Sequence, residues 1–179
     1  MVALLGLLVI NANKAIAQSD HLTDEEIELI RFNQEIDNRI KVYVKAIERR
    51  LLVINGADTL TENDLKNLKK DEKKWGALPK GSREKLLTNI DKILDEAIDK
   101  IDDVATRDTK SNLFLNAVHI LADAARNFVP KLKAISEDSA NVRETALISS
   151  AIDYCNDIIE ASSKVKKPSK KTKRKKKNP

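Results

Sequence analysis

The residues that could carry out chemistry in this chain are few and scattered. It holds one cysteine, Cys155, two histidines, His21 and His119, and a single methionine, Met1. A bundle di-metal site draws Glu-x-x-His pairs from facing helices, yet the residue three before His119 is Asn116 and His21 precedes the first helical pattern. Covalent haem attachment needs C-x-x-C-H, and Cys155 has no partner; haem ligation by Met and His finds no Met beyond the initiator. Ser82-Arg83-Glu84-Lys85 fits S-x-x-K, but the companion serine and lysine motifs of that hydrolase class are absent. Ser82 reads instead as a helix cap. Four glycines, none at phosphate-loop spacing, leave no nucleotide cradle. His119, between Val118 and Ile120, is expected to be a partly buried structural residue. Cys155 is expected to be a small apolar core residue, an interchain disulfide being the alternative. No catalytic residue, cofactor or metal is assigned, and the chain is read as non-enzymatic.

One segment carries a positive functional signal. Residues 164–179 contain Lys164, Lys166, Lys167, Lys170, Lys171, Lys173, Arg174, Lys175, Lys176 and Lys177 and no acid. They hold ten of the 33 basic residues and none of the 28 acidic ones, so residues 1–163 carry 23 positive against 28 negative charges, a net of −5. Like-charge crowding, with Pro168 and Pro179 as breakers, predicts a disordered tail. Without interleaved aromatics the tail offers no stacking platform for single-stranded bases. Dense positive charge without directional groups suits a polyanion: an anionic lipid surface, an envelope polymer or an acidic protein. These ten residues are the candidate polyanion-binding set. Asp91, Asp95, Asp99 and Asp102 or Asp103 recur along one side of a helical pattern, a stripe that could attract Ca²⁺ or a basic partner. Cation sites, however, draw ligands from several elements and Lys92 and Lys100 interleave, so a solvated face is the plain reading. A sharper one has this stripe hold the chain's own lysine segment.

The N-terminus sets an expected address. Val2 to Ile10 is an apolar run, and Ala15-Ile16-Ala17 supplies the small residues that signal peptidases require. The run falls short of the roughly 20 residues that span a bilayer, so no transmembrane span is expected in the mature chain. No Lys or Arg precedes the run, and Lys14 follows it, which departs from the usual signal pattern. The expected address is periplasmic or secreted, in a bacterium. Without export, the same lysines suit nucleic acid, and a small enzyme or metal carrier with a site built from scattered carboxylates is a further alternative.

These features need a scaffold, and composition indicates its class. With 34% charged residues, 3% aromatics and four glycines, long helices are favoured over sheets. Thr23-Asp24-Glu25-Glu26 is a capping box. Ile36, Ile40, Tyr43, Ile47, Leu51 and Ile54 form a stripe of helical period up to Asn55-Gly56, so one helix is expected over about 24–55, near 48 Å long at about 1.5 Å per residue. A second helix starts at Ser82 with Leu87, Ile90, Leu94, Ala97, Ile101 and Val104 inward. A third presents Phe114, Ala117, Leu121, Ala124, Phe128, Leu132 and Ile135, with a kink or early end expected at Pro130. The fourth covers about 139–163 through Val142, Ala146, Ile148, Ile152, Cys155 and Ile159. Thr61-Glu62-Asn63-Asp64 opens a short extra helix inside the long first crossover. The short later connections suggest sequential antiparallel neighbours. The expected fold is all-α: an antiparallel four-helix bundle over residues 18–163, behind a signal peptide at 1–17 and ahead of the basic tail at 164–179, as a monomer.

In an exporting host the mature protein is expected to begin at Gln18. Intact-mass measurement checks this, and a full-length cytoplasmic species as sole product contradicts it.

Overall fold

The computed structural model describes residues 20–56 and 61–168. The expected signal peptide, and the tail cations from Lys170 to Lys177, lie outside the described residues. Among the described residues six helices follow one another: α1 (Asp24–Phe32), α2 (Ile36–Asn55), α3 (Glu62–Trp75), α4 (Arg83–Ala105), α5 (Asn112–Glu137) and α6 (Val142–Ser163). The fold is all-α, and α2, α4, α5 and α6 form the four-helix bundle.

The expected first helix is two. The capping box forms as read, with the Glu26 amide donating to Thr23 Oγ1 at 3.3 Å and the Thr23 amide to Glu26 Oε2 at 3.0 Å. The helix then stops at Phe32. Asn33 turns to extended backbone, and its side-chain amide donates to the Leu29 carbonyl at 2.7 Å. Gln34 donates to the Arg31 carbonyl at 2.6 Å. Side-chain amides that compete with the backbone ladder end a helix without proline or glycine, and so the break left no strong mark in the sequence. Its consequence is large. In one continuous helix, Glu26 and Arg50 would stand about 36 Å apart; the break folds α1 back along α2 and brings their side chains to 2.9 Å.

The inward stripes of α2 and α5 are as expected, with Ile40, Tyr43 and Ile47 of α2 and Leu121, Phe128 and Leu132 of α5 buried. On α4 the stripe is buried from Leu87 to Ala97, while Ile101 and Val104 are half-buried where the bundle opens at that end. The α6 stripe is corrected. Ile148, Ala151, Cys155, Ile158 and Ser162 face the core, Ala146 is exposed and Val142 is 85% exposed. The true steps are 3, 4, 3 and 4; Ser162, a polar member of that series, hid it. Pro130 does not end α5, which runs on to Glu137. Pro130 lies on the exposed face, where water can take up the carbonyl that its missing N–H leaves free.

Neighbour relations also differ from the expectation. α5 packs along α6 and α2, and α4 packs along α2 and α6, whereas the consecutive helices α4 and α5 barely touch. The six residues between them cross the end of the bundle diagonally. Chain direction still alternates from one long helix to the next, but α4 and α6 lie side by side in parallel: Arg83 pairs with Glu144 at their N-terminal ends, and the Tyr154 hydroxyl meets Asp95 farther along both. The last turn of α2, at Ile54 and Asn55, borders Pro130 to Ile135 of α5, so this pair is parallel too.

Leu121→Ala is expected to lose about 2–5 kcal/mol of stability, because Leu121 is buried in the core. Ile101→Ala should lose clearly less. Urea unfolding measures both, and equal losses at the two positions would contradict the assigned opening of the bundle.

Candidate functional site

Three of the ten candidate cations are described. Lys164 caps the C-terminus of α6, its ammonium 2.7 Å from Glu160. That hydrogen bond holds the Glu160 carboxyl below its ordinary range and raises the Lys164 ammonium. Both are well exposed, so this pair adds little to stability. Lys166 and Lys167 are exposed just beyond, and the Lys166 carbonyl lies 3.4 Å from His119 Nε2. The structure thus brings the tail's base against α5, a contact the sequence offered no signal for.

Beside that base is a cleft of about 260 Å³ between the C-terminal halves of α4 and α6 and the start of α5. Ile101, Phe114, Leu121 and Ile158 form its floor, Asp102 and Asp157 lie on its rim, and Val165, the first apolar residue past α6, closes one side. The aspartate stripe of α4 continues from this rim along the α6 seam. Tyr154 donates to Asp95 at 3.3 Å, and its hydroxyl is pushed up first by burial and then by Asp95, Asp91 and Asp99. The contribution of α6 to this acidic seam, Tyr154 and Asp157, was not visible in the sequence, because only the parallel register of the two helices places it there.

A second polar assembly joins the N-terminal segment to the bundle. Glu26 is fully buried between Arg49 and Arg50, which are also buried. Arg50 donates to Glu26 Oε1 at 3.1 Å and Oε2 at 2.9 Å, to the Ala46 carbonyl at 2.7 Å and to the His21 carbonyl at 2.5 Å. Arg49 forms an ion pair with Glu26 at 3.4 Å, donates to the carbonyls of Gly76 and Ala77, and stacks its guanidinium 5.9 Å from the Trp75 ring centre. Gly76 has φ +64°, and a Cβ there would stand 2.5 Å from the Glu25 side chain. The same His21 whose carbonyl binds Arg50 reaches α4 with its ring. His21 Nε2 donates to Glu96 at 2.8 Å, and the Tyr43 hydroxyl donates to the other carboxylate oxygen at 2.8 Å. The sequence reading left His21 outside the bundle; its ring is bound to the centre of α4.

Chemically, this assembly joins a carboxylate, an imidazole and a phenol. The two donors hold the Glu96 carboxyl below its ordinary range, the His21 hydrogen bond contributing most, while burial beside Glu96 drives the Tyr43 hydroxyl far up, so it stays a phenol. These hydrogen bonds tie the segment at His21 and α2 to α4. Ser82 caps α4, accepting from the Lys85 amide at 3.2 Å. Cys155 is buried, and desolvation pushes its thiol up to about 12, which fits the core reading over an interchain disulfide. Among the described residues no helix is long and apolar enough to cross a membrane. No protein-family model, curated protein or solved structure matches this chain.

Glu26→Ala leaves two buried guanidinium groups without their carboxylate and is expected to cost about 3–5 kcal/mol. Chemical denaturation reads this, and a loss near that of an exposed glutamate would contradict the pairing. Glu96 has a folded pKa below its unfolded one, so its contribution is present above the ordinary glutamate range and is lost as pH falls through the folded value. Stability measured against pH should therefore fall more steeply in acid for the wild type than for Glu96→Gln; parallel curves would remove Glu96 from the account.

Proposed function

We propose that this protein is an exported, non-enzymatic helical binding module whose lysine-rich end contacts a polyanionic surface, with anionic lipid or an envelope polymer as the first candidate. The observation that carries the reading is charge segregation: ten cations and no acid in the last sixteen residues, on a chain whose other 163 residues are net negative. Clustered Lys and Arg each contribute about 1 kcal/mol near an anionic membrane. The acidic body is repelled by the same surface, so binding is confined to the tail and the bundle is held off as a rigid spacer. Three exposed lysines directly past the rigid end of α6 support this, because they start the cationic run where the packed body stops. The buried arginines add nothing to such a surface, since Glu26 occupies them.

Deleting residues 169–179 is expected to leave the helical content and unfolding midpoint of the body unchanged. It should abolish sedimentation with vesicles containing phosphatidylserine or phosphatidylglycerol. Binding by the intact chain should weaken steeply as salt rises to physiological strength, where the Debye length is about 8 Å. Equal binding by the truncated chain with the same salt slope would make the tail a solubilising end. Preferential binding to duplex DNA over vesicles would replace the envelope reading with a nucleic-acid one.

A further inference from the structure

The acidic seam between α4 and α6 is a surface on which Lys92 and Lys100 interleave the aspartates without forming an ion pair to them among the described residues. Asp95, Asp99, Asp102 and Asp157 form no ion pair among the described residues, while Glu84, Glu96, Glu144 and Glu160 elsewhere on these two helices each have a basic partner. At one end the seam opens into the apolar cleft floored by Ile101, Phe114 and Ile158. An apolar floor with a carboxylate rim suits a particular kind of side chain. Lysine lays its methylene stem on apolar surface and keeps its ammonium at the edge.

We propose that the seam is the docking surface for the chain's own tail, residues 169–179, which folds back from α6 onto the cleft and the α4 aspartates. Three observations select this occupant. The path begins beside the cleft, which Val165 lines before the tail starts. The reach suffices, because eleven residues extend about 36 Å, whereas Asp91 to Asp102 spans about 17 Å of helix. The charges complement each other, with seven tail cations from Lys170 onward against the unpaired aspartates. A tail tethered a few residues away has an effective concentration on the order of millimolar, and bodies of net −5 repel one another, so the intramolecular dock is favoured over exchange between two chains. One consequence rests on the reading under Proposed function: a polyanion must displace the tail from its dock, and the seam thereby sets a threshold for binding.

Carbodiimide cross-linking of the intact chain tests the dock without any polyanion. This reagent joins a carboxylate to an amine only at contact distance. At low salt and low micromolar protein, peptide mapping should find Lys170 to Lys177 joined to Asp95, Asp99, Asp102 and Asp157 within one chain, several-fold above bonds to the exposed acids Asp20, Glu48 and Asp138. In 1 M salt, with a Debye length of about 3 Å, that excess should vanish. Bonds spread evenly over all exposed acids, or no bonds to the tail, would overturn the dock, and the same bonds joining two chains would assign the seam to a second copy. In a second arm the full chain carries D95N, D99N, D102N and D157N. Its anionic-vesicle affinity should rise several-fold over the wild type, with helical content unchanged. An unchanged affinity would overturn the threshold. If neither chain binds vesicles while the mapped bonds persist, the dock stands and the polyanion reading fails.

Discussion

Glu26, fully buried between Arg49 and Arg50, is the interaction on which the remaining architecture depends. A carboxylate and two guanidinium groups withdrawn from water carry a desolvation cost of several kcal/mol each, offset only by close pairing and by hydrogen bonds to their other atoms. Those bonds come from four separate places: the cap of α1, the His21 carbonyl, the Ala46 carbonyl of α2 and the Gly76–Ala77 turn after α3. Satisfying one ion cluster therefore fixes the return of α1 along α2 and the exit of the chain toward α4. The break at Asn33 is what makes that geometry reachable. Burial also holds the Arg49 guanidinium below its ordinary value, with Glu26 the largest influence in the other direction.

The long helices were legible because their inward residues are aliphatic and recur at helical spacing. The stripes of α2 and α5, the cap at Ser82 and the capping box at Thr23 follow from local chemistry alone. What was not legible has separate physical causes. Arg49, Arg50 and Glu26 have the composition of a solvated surface, and a linear pattern assigns charged residues outward by default. Likewise the α6 register differs from the expected one because polar Ser162 shares the buried face while apolar Val142 does not. The diagonal step from α4 to α5 depends on which helix pairs fill space best, and a six-residue connection does not encode that choice.

The candidate surface was half legible. Ten cations and the α4 aspartates can be read directly from residue types, and the seam they could share cannot. It exists because α6 runs beside α4 in the same direction, so that Tyr154 and Asp157 arrive next to Asp95 and Asp102. His21 shows the same limit from the other side. It looks isolated in sequence and is joined to Glu96 across 75 positions.

The side-by-side parallel arrangement of α4 and α6 has an effect that no side chain carries. In a bundle whose neighbours all run oppositely, each helix terminus sits beside termini of opposite partial charge, and the peptide dipoles largely cancel. Here the C-terminal ends of α4 and α6 adjoin, each contributing up to about half a negative charge, with Arg107 donating to the Asp103 carbonyl in the last turn of α4. Neither helix has a basic residue in its last turn. The edge of that end formed by α4 and α6 therefore has a backbone field of the same sign as its aspartates, offset across the bundle by the N-termini of α2 and α5. Neutralising carboxylates would weaken this field but leave its backbone part, because its source is the order in which the chain visits the four corners of the bundle.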